Sequence, residues 1–148
     1  MRVARSVLAL SVCVCVARAG VIDPQKGRLD ADGATVWFDG QALPIEGRAF
    51  GDTESYYDRL PARARDKVPA PVWSLSHNSA GLAFRFVTDA SSFKVRWAVR
   101  SANLAMPHMP ATGVSGVDVY QRFPEGWRFV RNGKPAAVTN EMSVSVTP

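Results

Sequence analysis

The sequence predicts an all-β fold, an antiparallel β-sandwich formed by one domain behind an N-terminal targeting segment. Short runs of β-branched and aromatic residues are separated by Gly, Pro, Asn and Asp turns, which is typical of sandwiches. One run, 93–99, alternates large apolar side chains with mostly basic ones, as a strand with one buried and one solvated face does. No stretch has the period of a long amphipathic helix.

The first 19 residues are predicted to be a signal peptide. Arg2 and Arg5 give it a basic start, and the apolar run 6–16 is too short to cross a bilayer as a helix. An uncleaved anchor is therefore the weaker interpretation. The sequence Ala17-Arg18-Ala19 is a cleavage signal, so we expect an exported protein, periplasmic or extracellular, that begins at Gly20.

Removal of this leader changes both the cysteine content and the charge. Cys13 and Cys15 leave with it, so the mature chain cannot form a disulfide. The formal charge of +5 falls to +2 because Arg2, Arg5 and Arg18 also leave. The remaining lysines and arginines are scattered, which excludes a basic tract for nucleic acid, and we expect no membrane contact after cleavage.

The first third of the mature chain contains one predicted hairpin. A lead-in over 20–33 is expected to be flexible. The run 34–38 is rich in β-formers, and Asp39-Gly40 is a hairpin signal that would return the chain through 41–45. The prolines within 60–71 allow at most a short helical turn.

The clearest strand pattern begins at residue 72. A short strand is predicted over 72–76, followed by a turn at 77–81. The alternating runs 82–87 and 93–99 are then expected to pair as a hairpin. Because each fully buried large apolar side chain stabilises the fold by about 1.5–3 kcal/mol, this hairpin should form the centre of the core.

Two further strands are predicted near the C-terminus. Val117, Val119 and Gln121 share one face of the first. The chain turns at 124–126 and returns over 127–130, and Asn132-Gly133 is another hairpin signal. The final segment, 136–148, is weakly patterned.

The most distinctive segment is 101–120, which fits neither a helix nor a strand at its start. Pro107 and Pro110 exclude a regular ladder, and the sequence places His108 between two methionines. The segment ends in Gly116-Val117-Asp118-Val119-Tyr120. It resembles the signature of the GxDLY domain, named for the motif Gly-x-Asp-Leu-Tyr, with valine at 119 where the motif has leucine.

The resemblance extends upstream through 57–61, 72–76 and 79–81. It implies a jelly-roll-like sandwich that stands before the catalytic domain of a secreted SGNH-type esterase. We place this domain at 34–140, with the tail 141–148 where the catalytic domain would follow in the resembling proteins. We expect this chain to provide the non-catalytic accessory domain without the catalytic one, either as a truncated gene product or as the partner of a separately encoded esterase. The resemblance also suggests acylated carbohydrate as the substrate class of the whole enzyme.

A complete catalytic site is not predicted. These esterases need a nucleophilic serine, oxyanion donors and a histidine base in an Asp-x-x-His pair. Gly51-Asp52-Thr53 offers threonine and lacks a preceding strand, and 113–116 is not a G-x-S-x-G turn. Neither His77 nor His108 has aspartate three residues earlier. Two distant histidines without cysteine also give no basis for a metal site or a cofactor.

The candidate functional residues are polar, aromatic or sulfur-containing side chains around the signature, and we expect them to face an esterase domain or rim its substrate cleft. They are Asn103, Met106, His108, Met109, Asp118 and Tyr120. The alternative is structural: the loop would cover the open end of the sandwich, Asp118 would pair with an arginine, and Tyr120 would pack at a sheet edge.

Two other functions stay open at this point. Four tryptophans could form a sugar-stacking platform in a stand-alone carbohydrate-binding domain. Trp97 is in phase with Phe93 and Val95, so it belongs to the core, and the other three are undecided: Trp37, Trp73 and Trp127. The remaining alternative is a small hydrolase with an unrecognised site.

Overall fold

The computed structural model describes residues 22–146, which divide into two compact units after Val87. The predicted leader lies outside the described residues, as do Thr147 and Pro148. The fold is mainly strands, as predicted, but these strands pair two by two in four small antiparallel sheets. The paired strands are consistent with the predicted all-β fold. Within 22–146, no helix has the length and apolar character to cross a membrane.

Over residues 22–87, the first unit contains two short strand pairs, one helix and three 3-10 turns. Its regular elements are β1 (Arg28–Leu29), β2 (Val36–Trp37), β3 (Ile45–Glu46), α1 (Ala70–Ser76) and β4 (Ala83–Phe84), with 3-10 turns at Pro24–Lys26, Gly40–Ala42 and Ala62–Ala64. β1 pairs with β2, and β3 pairs with β4.

The predicted hairpin at 34–45 is wrong in its pairing. β2 pairs backwards with β1, and the Asp39 carboxylate accepts a hydrogen bond from the backbone N–H of Gln41 at 2.8 Å, which starts a 3-10 turn instead of a hairpin. Aspartate favours such capping positions. A Cβ at Gly40 would lie 2.9 Å from the Tyr57 hydroxyl, so this glycine also permits close packing.

The strand predicted over 72–76 is also wrong, because these residues belong to α1. Pro69 occupies the N-cap and Pro71 lies in the first turn, where proline is tolerated since the first N–H groups need no helical partner. Val72 and Leu75 remain about half-exposed on this helix. The prolines thus begin a helix here, although the five-residue pattern alone is compatible with a strand.

The second unit consists of two longer strand pairs joined by a short helix. Its elements are β5 (Ser92–Ala98), α2 (Ala111–Ser115), β6 (Val117–Phe123), β7 (Gly126–Gly133) and β8 (Thr139–Ser145). β5 pairs with β8 and β6 pairs with β7. The predicted hairpin between 82–87 and 93–99 is therefore wrong, since the partner of β5 is the last strand of the chain.

The alternation predicted on β5 is confirmed. Phe93, Val95 and Trp97 are partly buried, whereas Lys94 and Arg96 are exposed. The guanidinium of Arg96 donates two hydrogen bonds, at 3.0 and 2.8 Å, to one carboxylate oxygen of Glu141 on β8. An ion pair between Arg96 and Glu141 thus joins the two strands on the outer face, and the apolar side chains lie on the inner face.

The most buried apolar side chains lie on β8, in a segment whose sequence pattern is weak. Val144 is 0% exposed and Met142 is 8% exposed, and they alternate with exposed polar residues. Asn140 is also buried, but its amide is satisfied: the oxygen accepts from the N–H groups of Ala136 and Ala137, and the nitrogen donates to the Ala137 carbonyl. Because a polar residue, Asn140, occupies one of the buried positions, the sequence of β8 does not show a clear alternation of apolar and polar residues.

Gly133 is the close-packing point of the second unit. The signal Asn132-Gly133 does not form a turn, because both residues are part of β7. A Cβ at Gly133 would lie 2.7 Å from the Trp97 ring and 2.9 Å from the Met142 sulfur. Glycine is therefore needed here for packing and not for a turn. The β6–β7 connection is instead at the predicted turn, where Gly126 has a φ of 137°.

Candidate functional site

The signature glycine allows α2 and β7 to approach the start of β6. Gly116 has an extended backbone, with φ −82° and ψ 174°, so it is not required by backbone conformation. A Cβ there would lie 2.4 Å from the Thr112 carbonyl oxygen and 2.8 Å from the Gly133 carbonyl oxygen. These neighbours are backbone atoms that cannot rotate away. Gly116 is thus a packing requirement of the second unit.

The rest of the signature alternates between two environments along β6. Val117 and Val119 are partly buried on the inner side, and Asp118 and Tyr120 are exposed on the outer side. The Asp118 carboxylate accepts a hydrogen bond from the Asn132 side-chain amide at 2.7 Å. The aspartate and tyrosine of the motif therefore point away from the core of their own unit, whereas Val119 at the leucine position points inward.

The strand register places three cross-strand pairs on this outer side, and we call them the motif face. The pairs are Asp118 with Asn132, Tyr120 with Phe129, and Arg122 with Trp127. Tyr120 and Phe129 meet edge to face with their centroids 5.7 Å apart, and the Arg122 guanidinium lies 5.9 Å from the centre of the Trp127 ring.

The motif face is unusually apolar for an exposed surface. Tyr120 is 53% exposed, Phe129 57% and Trp127 48%. Single exposed apolar residues are ordinary, whereas clustered exposed apolar surface is typical of interaction sites.

The segment before α2 forms a separate structural feature, a tight turn. The N–H of Met106 donates to the Met109 carbonyl at 2.9 Å, and the N–H of Met109 donates to the Met106 carbonyl at 3.1 Å, so Pro107 and His108 occupy the tip. Met106 is 47% exposed and Met109 39% exposed. Asn103, whose N–H donates to the Ser101 hydroxyl, is exposed as well.

The six candidate residues thus fall into two groups. Asp118 and Tyr120 belong to the motif face, while Met106, His108 and Met109 share the turn, with Asn103 exposed a few residues earlier. The structural alternative named an arginine as the partner of Asp118, but the amide of Asn132 hydrogen-bonds it instead.

Comparison with known families agrees with the signature and its surroundings. The model of the GxDLY family, described as the N-terminus of SGNH-hydrolase-type esterases, matches residues 35–147. The chain belongs to this family. No match was found among curated proteins or among solved structures. The GxDLY domain accordingly includes β8, the last strand of the second unit.

Two residues of the motif face were not singled out by the sequence analysis. Arg122 and Phe129 acquire their significance from the cross-strand register, which includes an irregularity between Val119 and Tyr120. The bulge shifts the pairing beyond Tyr120 by one residue, so Asp118 lies opposite Asn132 and not opposite Arg131, the partner that simple hairpin counting gives.

Another group missed by the sequence analysis surrounds Asp58 in the first unit of the GxDLY domain. Asp58 is only 2% exposed, and its carboxylate accepts a hydrogen bond from the Ser55 N–H at 3.0 Å. His77 Nδ1 lies 2.9 Å from an Asp58 carboxylate oxygen, but the two groups do not have the geometry of a hydrogen bond. The signal that could have found Asp58 is its place in 57–61, one of the stretches that resemble the family.

Arg59 completes the connection between this stretch and α1. Its backbone N–H donates to the Ser76 carbonyl at 2.8 Å, and its guanidinium donates to the Leu75 carbonyl at 2.7 Å. The last carbonyls of a helix have no helical partners, so a cation that donates to them stabilises the helix end. The stretch 57–61 thus caps α1.

Ser76, His77 and Asp58 have the residue types of a catalytic triad, but their hydrogen bonding gives them a structural role. The Ser76 hydroxyl is buried and donates to the Trp73 carbonyl at 2.7 Å. A nucleophilic serine would instead donate to the histidine and face the substrate. A cleft of about 290 Å³ adjoins α1, lined by Arg59, Leu60, Val72, Leu75 and Ser76, and it contains no acid–base pair.

The Gly51-Asp52-Thr53 stretch is a polar turn. Asp52 forms an ion pair with Arg63, and the Thr53 hydroxyl accepts a hydrogen bond from Arg48 at 3.1 Å. In the described part of the chain, no group of three or more His, Cys, Asp and Glu side chains is placed to hold a metal ion.

Proposed function

We propose that this GxDLY domain is a non-catalytic accessory domain that binds an SGNH-type esterase catalytic domain through its motif face. The observation that carries the proposal is the orientation of the signature. Gly116, Val117 and Val119 meet the packing needs of their own unit, whereas Asp118 and Tyr120 face outward among exposed aromatics. The packing of the unit itself does not require this aspartate and tyrosine, and contact with a partner would explain their place in the signature.

The composition of the motif face suits a protein partner. Interface residues that dominate binding are enriched in Tyr, Trp and Arg, and this face presents Tyr120, Trp127 and Arg122 side by side. An aromatic side chain has about 150–250 Å² to bury. Since each of the three rings is about half-exposed, roughly 100 Å² remains on each, worth roughly 2–3 kcal/mol when buried.

This gain of roughly 6–9 kcal/mol competes with an association cost of about 4–15 kcal/mol. The contact is therefore expected to be weak between separate molecules. In the family the two domains belong to one esterase, and a short linker supplies an effective concentration of roughly millimolar. A modest face is then sufficient to hold the domains together.

The turn at 106–109 contributes the rim of this interface in our proposal. A loop that only covered its own unit would bury its methionines, but Met106 and Met109 are both well exposed. Thioethers adapt to irregular partner surfaces, and His108 adds a donor and an acceptor at the tip. The exposed Asn103 precedes them.

The geometry gives less support to a stand-alone carbohydrate-binding domain. Sugar stacking needs an open, flat ring face, whereas Tyr120 and Phe129 are inclined at 76° and Arg122 lies over Trp127. Of the other undecided tryptophans, Trp37 and Trp73 are partly buried. We retain acylated carbohydrate as the proposed substrate class of the assembled esterase. Quenching of tryptophan fluorescence by oligosaccharides in the absence of the esterase domain would favour the alternative.

The proposal includes export and lack of independent turnover. Mature protein should begin at Gly20 outside the cytoplasm, and intact-mass analysis showing a retained Met1 would contradict this. The chain alone should not hydrolyse an activated acetyl ester. Hydrolysis above a heat-killed control that Ser115→Ala or Thr53→Ala abolishes would establish the small-hydrolase alternative instead.

The test uses an SGNH catalytic domain from a family member that carries both domains, expressed alone. Adding this chain should raise the thermal midpoint of the catalytic domain or its kcat/KM, and Tyr120→Ala should reduce that effect. Val138→Ala is the matched control, because Val138 is 46% exposed in the same unit but outside the motif face. Equal effects of the two variants, or none from the wild-type chain, would contradict the proposal.

A further inference from the structure

The turn at 106–109 brings together three side chains with the ligand chemistry of a soft metal ion. Met106 and Met109 are directly paired by two backbone hydrogen bonds of 2.9 and 3.1 Å. Residues opposed in such an antiparallel bridge project to the same side with their Cβ atoms about 5 Å apart. The turn therefore gives two thioethers a common side, with the His108 imidazole carried at its tip.

We propose that Met106, His108 and Met109 form a surface binding site for Cu(I). Thioether sulfur is a soft ligand that selects Cu(I), and imidazole also suits copper. Both thioethers are neutral, and they need no deprotonation before they bind a metal ion. Harder ions such as Ca²⁺ and Mg²⁺ require oxygen ligands, and the described residues offer no cluster of carboxylates for them.

The position of one ligand is already restricted by packing. A Cβ at Gly113 would lie 3.0 Å from Met109 Cγ and 3.3 Å from Met109 Sδ, so the Met109 side chain lies directly against α2. Pro107 restricts the backbone at the tip, and Pro110 restricts it directly after the turn. Because fewer conformations must be lost on binding, this arrangement increases the affinity that three surface ligands can reach.

Met106 and Met109 are much more exposed than Met142, the other methionine that the structure describes. Met106 and Met109 are 47% and 39% exposed, whereas Met142 is 8% exposed within the core. A thioether is only a weak hydrogen-bond acceptor, so two exposed thioethers on one turn gain little from water. A soft metal ion would use both thioethers together with the imidazole between them.

The experiment is an anaerobic titration of the full chain with Cu(I), in competition with a chromophoric Cu(I) chelator. Ag(I), which does not undergo the same redox chemistry, is titrated in parallel. Methionine labelled with ¹³C at the ε-methyl group gives a separate NMR signal for each methionine. We expect one ion per chain and shifts in the signals of Met106 and Met109, while the Met142 signal stays in place.

Three variants test the assignment. Met106→Leu, Met109→Leu and His108→Ala should each weaken Cu(I) binding by about tenfold or more, since even loss of a residue behind a metal ligand costs that much. Met142→Leu, the matched control with a buried thioether, should bind as the wild type does. Circular dichroism of each variant checks that the fold is intact.

The inference is overturned if the Met106 and Met109 signals do not move, or if the variant lacking both thioethers and His108 binds Cu(I) as tightly as the wild type. It is equally overturned if Met142→Leu causes the same loss as the turn variants. None of these measurements involves an esterase domain, so the metal site stands or falls independently of the accessory role.

Discussion

Replacement of Gly116 by alanine tests whether the signature glycine is needed for packing. The new Cβ would meet the Thr112 carbonyl oxygen at 2.4 Å, the Gly133 carbonyl oxygen at 2.8 Å and the Thr112 Cα at 2.9 Å. Ordinary contacts lie at 3.4–4 Å, so α2 or β7 must shift by about 1 Å. The backbone angles of Gly116 suit alanine, and the cost is therefore steric.

Overpacking of this kind costs about 1–3 kcal/mol. We expect Gly116→Ala to reach the upper end, about 3 kcal/mol, because three backbone atoms are involved and no side chain can rotate to relieve the contact. With a urea m-value of about 1–3 kcal/mol/M for a domain of this size, the unfolding midpoint should fall by about 1–3 M.

Urea unfolding followed by tryptophan fluorescence measures the effect. Trp97 reports on this region because its indole N–H donates to the Ser115 carbonyl, next to Gly116, at 3.0 Å. Gly51→Ala is the control: Gly51 has a negative φ and open space around its Cβ position. This change should leave the midpoint unchanged or raise it slightly. Equal midpoints for the two variants would refute the packing argument.

Further predictions concern the core, the turn and the alkaline limit of stability. Trp97→Ala should lower the free energy of unfolding by about 3 kcal/mol, because a partly buried ring and its hydrogen bond to Ser115 are lost. Replacing the exposed Lys94 by alanine should change stability little. Equal urea midpoints for the two variants would mean that the register of β5 is wrong. His108→Ala should leave the unfolding free energy nearly unchanged, and a clear loss would show that the turn supports its own unit. Burial, followed by the nearby Asp39 and Tyr56, raises the pKa of Tyr57 above its usual 10.0. The unfolded chain then loses this proton first, so stability should fall as the pH rises above about 10. Tyr57→Phe should flatten this slope in alkaline unfolding curves, and an unchanged slope would contradict the assignment.

Much of the second unit is predictable from local pattern. Phe93 and Trp97 on β5, and Val117 and Val119 on β6, alternate with polar residues, and the structure gives each strand the expected faces. The pairing of these strands is not predictable in the same way. β5 pairs with β8, whose Asn140 and other polar residues obscure the alternation, so the partner strand was not recognised.

The first unit was harder to predict because capping and packing decide its local structure. Pro69 and Pro71 begin a helix at a run that also fits a strand, and Arg59 ends that helix from a distant position in the sequence. Asp39-Gly40 has the composition of a hairpin turn but caps a 3-10 turn instead. Such choices depend on partners that are remote in the chain, which local pattern does not contain.

For the candidate site, the residue types were predictable and their neighbours were not. The signature identifies Asp118 and Tyr120, but Phe129 and Trp127 join them only through the pairing of β6 with β7, and the bulge beyond Tyr120 sets Asn132 opposite Asp118. Met106 and Met109 were identified by their unusual sequence context, and their direct pairing follows from the hydrogen bonds of the turn.

The central claim is that the motif face binds an SGNH catalytic domain. Isothermal titration calorimetry of a separately expressed catalytic domain with this chain measures it most directly. We expect saturable binding, with a Kd of roughly micromolar or weaker, which Tyr120→Ala weakens by about tenfold or more while its urea midpoint stays near that of the wild type. Absence of binding, or binding that Tyr120→Ala and Val138→Ala weaken equally, would contradict the account.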